Sequence, residues 1–91
     1  MTYTVILSES FEKRAERFLR QHPTLRGRYE KTLRFLKSNP WHPSLRLHKL
    51  SGQMDGLYAV SITFSYRMTL LFRIEEHQIT PIDIGSHDQV Y

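Results

Sequence analysis

A histidine lies between two cations in the run Arg46-Leu47-His48-Lys49, just ahead of a Ser51-Gly52 turn, and a second, His87, sits in the terminal stretch GSHDQVY that ends on Tyr91. Between them, Arg67 opens a segment of alternating apolar residues. Imidazole accepts or releases a proton near neutral pH. Guanidinium grips phosphate through paired hydrogen bonds, and an aromatic ring can stack on a splayed base. Together these groups suit RNA cleavage. A base removes the proton of a 2′-hydroxyl, which attacks the adjacent phosphate; cations stabilise the added charge, and an acid protonates the leaving 5′-oxygen. His48, His87, Arg67 and Tyr91 are the residues that could fill these roles, and the scheme requires no cofactor.

Other chemistries have little support. The sequence carries no Gly-rich phosphate loop, no HExxH and no GxSxG. It has no cysteine, and its five histidines, at 22, 42, 48, 77 and 87, form no helical metal pair, so no metal is expected. Each candidate also has a plainer reading. A single histidine is more often a surface residue than a catalyst, Arg67 can pair with Asp83 or Asp88, and Tyr91 can be a frayed end. Trp41, in a proline-flanked loop, reads as a packing lid rather than a stacking platform.

Something must hold these residues in place, and 91 residues suffice for one domain, expected over 1–91. Charge is unevenly spread: residues 1–50 hold 11 Lys/Arg against 4 Asp/Glu, a net of +7, and residues 51–91 hold 2 against 5, a net of −3, which gives the overall +4. Such a basic half suits a polyanionic partner, nucleic acid or an acidic protein. MTYTVIL at the start has neither the charged region nor the apolar length of a signal peptide. No apolar run approaches the roughly 20 residues of a membrane helix, so a soluble, cytoplasmic protein with no membrane partner is expected.

Residues 2–7 (TYTVIL) are rich in β-branched and aromatic types and predict a strand. Ser8 or Ser10 then offers a helix cap, and Phe11, Ala15, Phe18 and Leu19 recur at helical spacing until Pro23. Thr24 is the candidate cap of a second helix with Leu25, Tyr29, Leu33 and Leu36 on its apolar stripe, ending at Asn39-Pro40. Residues 40–56 read as a loop with a short strand near 45–50. Period 2 follows: Tyr58, Val60, Ile62 and Phe64 share a face, a turn falls at Ser65-Tyr66, and Met68, Leu70, Phe72 and Ile74 alternate with Arg67, Thr69, Leu71 and Arg73. Glu75-Glu76-His77 turns the chain into a last strand over 78–85, with Ile82 and Ile84 on one face and Pro81 at an edge or bulge. The expected fold is α+β, a strand and a two-helix hairpin packed on a curved, mainly antiparallel sheet, with the Arg67 face left for solvent or ligand.

From His48 of LHKLSG, through the YR that opens an apolar strand, to the terminal IGSHDQVY, the sequence resembles the C-terminal half of the RelE/ParE superfamily of toxins from bacterial toxin–antitoxin pairs, closest in look to YafQ-like and YoeB-like members. Residues 2–39 match that family in order and length of elements without a specific motif. The resemblance implies a two-helix hairpin on a curved antiparallel sheet, and a ribosome-dependent endoribonuclease that cuts mRNA and inhibits translation, partnered by a cognate antitoxin and by the ribosome. It implies His48 as general base, Arg67 on the phosphate, His87 as acid and Tyr91 as the aromatic that orients or stacks on the substrate, with Arg46, Lys49 and Arg73 as supporting cations. The lysine-rich site of RelE itself has no counterpart here beyond Lys49. Two alternatives stand beside the nuclease: a ParE-like, non-enzymatic gyrase inhibitor, and an inactive homologue that only binds an antitoxin. The paired histidines favour the nuclease branch.

Overall fold

The computed structural model of the chain describes residues 2–50 and 55–86. A short strand, β1 (Thr4–Val5), leads into helix α1 (Glu9–Gln21) and, after a 3₁₀ turn at Pro23–Leu25, helix α2 (Arg26–Ser38). A second 3₁₀ turn, Pro43–Leu45, precedes β2 (His48–Lys49), β3 (Leu57–Ser61), β4 (Tyr66–Arg73) and β5 (Gln78–Ser86). The strands form one sheet in the order β1-β5-β4-β3-β2. Among the described strands only the β1–β5 pair is parallel; the two helices carry the chain from β1 to the opposite edge of the sheet, and β2, β3 and β4 bring it back beside β1.

Ser8 starts α1: its Oγ accepts the Phe11 N–H at 3.1 Å, and Glu9 and Glu12 sit at the positive end of the helix. Pro23 stops it. Thr24, expected to cap α2, instead lies within the 3₁₀ turn, and α2 begins at Arg26 without a side-chain cap. Proline sits at the start of that turn with its φ already set, so the chain re-enters helical geometry before Thr24 can cap it.

The core forms where the helix stripes meet one face of the sheet. Phe11, Leu36, Met68, Leu70 and Ile79 are fully buried, with Phe18, Leu19, Val60 and Phe72 beside them. Each such side chain contributes about 1.5–3 kcal/mol on leaving water. Tyr29 is also buried, and burial raises its phenol above the ordinary tyrosine range, with Glu12 adding to the effect. One salt bridge ties the helices, Arg26 Nη2 to Glu16 Oε1 at 3.7 Å; half-exposed, it is worth no more than about 1 kcal/mol.

Several boundaries differ from the expected ones. β3 ends at Ser61, and Phe64 stands in the following turn at 90% exposure instead of continuing the strand face of Tyr58, Val60 and Ile62. The turn comes earlier than Ser65-Tyr66 because Ile62 N–H and Thr63 N–H both donate to the Tyr66 carbonyl, at 2.9 and 3.1 Å, and Tyr66 already opens β4. Ile74 likewise falls in a turn, closed by His77 N–H to the Ile74 carbonyl at 3.1 Å with His77 at φ 55°. In β5 a bulge breaks the alternation: Leu70 pairs with Pro81 and Thr69 with Asp83. Ile82 is the extra residue, so Ile82 and Ile84 do not share a face as period 2 requires. Pro81 is tolerated in this central strand because β1 pairs only with Gln78 and Ile79, which leaves the outer side of β5 unpaired beyond them.

Candidate functional site

Sheet register decides which polar residues meet. His48 lies opposite Ala59, which lies opposite Thr69, which lies opposite Asp83. In the next row, Ser61 faces Arg67 and Arg67 faces Gly85. Paired residues and residues two apart share a face, so His48, Ser61, Arg67, Thr69 and Asp83 belong to the side away from the core, which takes Val60, Met68, Leu70 and Phe72. From the strand spacings, the Cα atoms of His48 and Arg67 are about 12 Å apart, a gap that leaves room for a phosphodiester between imidazole and guanidinium.

His48 is exposed, and its Nδ1 lies 2.9 Å from the main-chain carbonyl of Arg46. A carbonyl only accepts, so Nδ1 carries the proton and the neutral ring keeps Nε2 as a free base. This contact depends on Arg46 holding a left-handed conformation, φ 50° and ψ 45°, as it ends the Pro43–Leu45 turn. That turn is in turn capped by His42, whose Nδ1 accepts the Ser44 N–H at 3.1 Å and whose ring stacks on Phe35 at 4.1 Å.

The other described histidines serve packing. His42 is the cap just described, His22 sits against the Phe18 and Tyr66 rings at 4.7 and 4.6 Å, and His77 lies against Tyr3 at 5.1 Å. His48 is the most open of the four. Among the described residues no ion pair joins Arg67 to Asp83; an Asp83 carboxylate oxygen accepts the Ile84 N–H at 2.9 Å.

Two expected supporting cations do not join this group. Lys49 pairs with Tyr58 and so falls on the opposite face of the sheet, where its Nζ lies 3.8 Å from an Asp55 carboxylate oxygen. Arg73 shares the face of Arg67 but stands at the far end of β4 opposite Gln78, about 20 Å along the strand. Arg46 does adjoin the group, through its carbonyl. The Ser51-Gly52 turn, His87, Asp88 and Tyr91 lie outside the described residues. Within the described residues β5 reaches Ser86, opposite Tyr66, one position beyond the Arg67–Gly85 pair.

Trp41, expected as a packing lid, is half-exposed with its ring 5.3 Å from Phe72. Arg28, Arg46, Ser61 and Phe64 line an open groove of about 420 Å³ that the sequence did not reveal. The flanking Thr63 and Ser65, turn-forming types, were the available signal for Phe64. A larger groove of about 690 Å³ between the helices carries both charge signs around Leu19 and Tyr29. Among the described residues no group of three His, Asp or Glu side chains gathers as a metal site, and no helix is long and apolar enough to cross a membrane.

No protein-family model matches the chain, and no curated protein matches it by sequence. Solved structures do. The fold is similar to that in the DinJ–YafQ toxin–antitoxin complex of E. coli, at a TM-score of 0.78 and 12% identity over 98% of this chain and 97% of that one. It is similar to the archaeal RelE–RelB complex from Pyrococcus horikoshii OT3, at 0.72 and 21% over 94% and 96%. The YoeB/ParE toxin from Agrobacterium tumefaciens matches at 0.70 and 19% over 92% and 98%. The chain therefore has the α+β fold of the RelE/ParE toxins, with two helices on a mixed five-stranded sheet.

Proposed function

We propose that this chain is the toxin of a type II toxin–antitoxin pair, a RelE/ParE superfamily member acting as one domain over residues 1–91, that cleaves mRNA on the ribosome in the cytoplasm without a metal. The observation that carries this reading is His48: an exposed imidazole whose Nδ1–H is donated to the Arg46 carbonyl, on the same sheet face as Arg67, in a fold similar to that of toxins solved in complex with antitoxins.

In this scheme His48 Nε2 takes the proton of a 2′-hydroxyl, and the 2′-oxygen attacks the adjacent phosphorus. Arg67 stabilises the charge that builds on the non-bridging oxygens. The bond to the 5′-oxygen breaks, and that oxygen receives a proton from His87, leaving a 2′,3′-cyclic phosphate and a 5′-hydroxyl. Tyr91 orients or stacks on the substrate, and Arg46 steadies the neighbouring backbone. An antitoxin masks the site until it is removed.

Controlled expression of the chain in bacteria tests the reading. Growth arrest with mRNA cut inside codons, and 2′,3′-cyclic phosphate ends, is the expected result. Arrest with broken DNA and whole mRNA assigns the chain to gyrase inhibition instead. Unimpeded growth leaves only an antitoxin-binding role.

A further inference from the structure

Next to the candidate site, a groove along the β3–β4 turn shares Arg46 with the scheme above and adds residues that the scheme does not use. It is lined by Arg28, Arg46, Ser44, Ser61, Thr63 and Phe64, together with Pro43 and Ile62, and includes no acidic side chain. Among the described residues neither Arg28 nor Arg46 is engaged in an ion pair. Phe64 is 90% exposed. It is not presented on a loose loop: Thr63 Oγ1 accepts from both Ser65 N–H and Tyr66 N–H at 3.2 Å, and the Tyr66 carbonyl receives two further main-chain donors. A large apolar ring fixed in water on a rigid turn gains nothing from folding. Its surroundings of two guanidiniums and three hydroxyls suit a partner with a flat π-face and a negative backbone, and single-stranded RNA has both.

The groove is also continuous with the site. Arg46 holds His48 through its carbonyl, and Ser61 is the register partner of Arg67. We infer that this groove is a single-stranded RNA subsite, in which a base stacks on Phe64 and the flanking phosphates meet Arg28 and Arg46, so that the strand runs from there onto the His48–Arg67 face. The inference rests on the ribonuclease reading for its direction, though binding in the groove does not depend on cleavage.

Fluorescence anisotropy with a labelled 2′-O-methyl oligoribonucleotide of about a dozen residues, which lacks the attacking hydroxyl, isolates binding from chemistry. Phe64→Ala is expected to weaken binding about 5- to 100-fold, the loss of one stacked base, with its salt dependence unchanged. Arg28→Gln is expected to weaken binding and to lower the slope against log salt by about 0.7, one phosphate contact on a single strand. Phe64→Trp retains affinity. Both sites are exposed, so the variants keep the fold, checked by thermal melting. Wild-type affinity in Phe64→Ala and Arg28→Gln overturns the groove while leaving cleavage to its own assay. Weakened binding in a chain that cuts no mRNA retains the groove and sinks the nuclease. Displacement of the RNA by polyglutamate, with Phe64→Ala unchanged, overturns the RNA subsite in favour of an acidic protein.

Discussion

The imidazole of His48 and the carbonyl of Arg46 form the 2.9 Å hydrogen bond that fixes which ring nitrogen is free. The bond spans two residues of one chain, so its geometry is set by the backbone at Arg46, at φ 50°. A β-branched side chain is strained there and glycine is not. Arg46→Val is therefore expected to be less stable than Arg46→Gly by about 1–2 kcal/mol, measured as a difference in urea midpoints. Nitrogen chemical shifts of the His48 ring should show the Nδ1–H tautomer retained in Arg46→Gly and disturbed in Arg46→Val.

Arg67 occupies the centre of three strands, between Ser61 and Gly85. A planar fork presents two donors to a phosphate where an ammonium presents a point charge. Arg67→Ala is expected to slow cleavage roughly 10²–10³-fold, the loss typical of a transition-state donor, and Arg67→Lys to fall between it and the wild type. Single-turnover rates on ribosome-bound mRNA give the comparison, and equal rates for all three proteins would remove Arg67 from the reaction.

Tyr29 gives the fold a pH dependence at its alkaline end. Burial raises its phenol, with Glu12 acting in the same direction, so the folded state holds the proton more tightly than the unfolded chain. The neutral phenol's contribution is complete below the unfolded pKa of about 10 and is lost as pH rises through the raised folded value. Tyr29→Phe should unfold with a flatter stability profile above about pH 10 than the wild type. Denaturant titrations from neutral to strongly alkaline pH provide the check, and parallel profiles would dissociate the effect from Tyr29.

The parts of this fold that the sequence made legible are those governed by local pattern. Ser8 caps α1 and Phe11, Ala15, Phe18 and Leu19 form its buried stripe, because 3.6-residue spacing and a hydroxyl cap act within a few residues. The placement of Arg67, Thr69 and Leu71 opposite Met68, Leu70 and Phe72 was equally readable, since pleating alone sets it. What failed depended on distant partners. Period 2 set Phe64 on one strand face with Tyr58, Val60 and Ile62, but the main-chain bonds that turn β3 into β4 are accepted by the carbonyl of Tyr66, which packs on Phe18 of α1. Lys49 adjoins His48 in sequence, and that adjacency is the reason it points to the opposite face. Arg73 matched the strand pattern of Arg67 yet stands too far along it. The bulge at Ile82 leaves no mark in a single sequence beyond Pro81 beside it.

The most direct test is the rate at which purified His48→Ala cleaves mRNA on programmed ribosomes, measured beside the wild type under single-turnover conditions. His48 is exposed, so the substitution spares the fold. Loss of a general base should slow the chemical step by about 10²–10⁴-fold, with ribosome binding retained. Cleavage at the wild-type rate would contradict the assignment of His48 as the base and, with it, the proposed reaction.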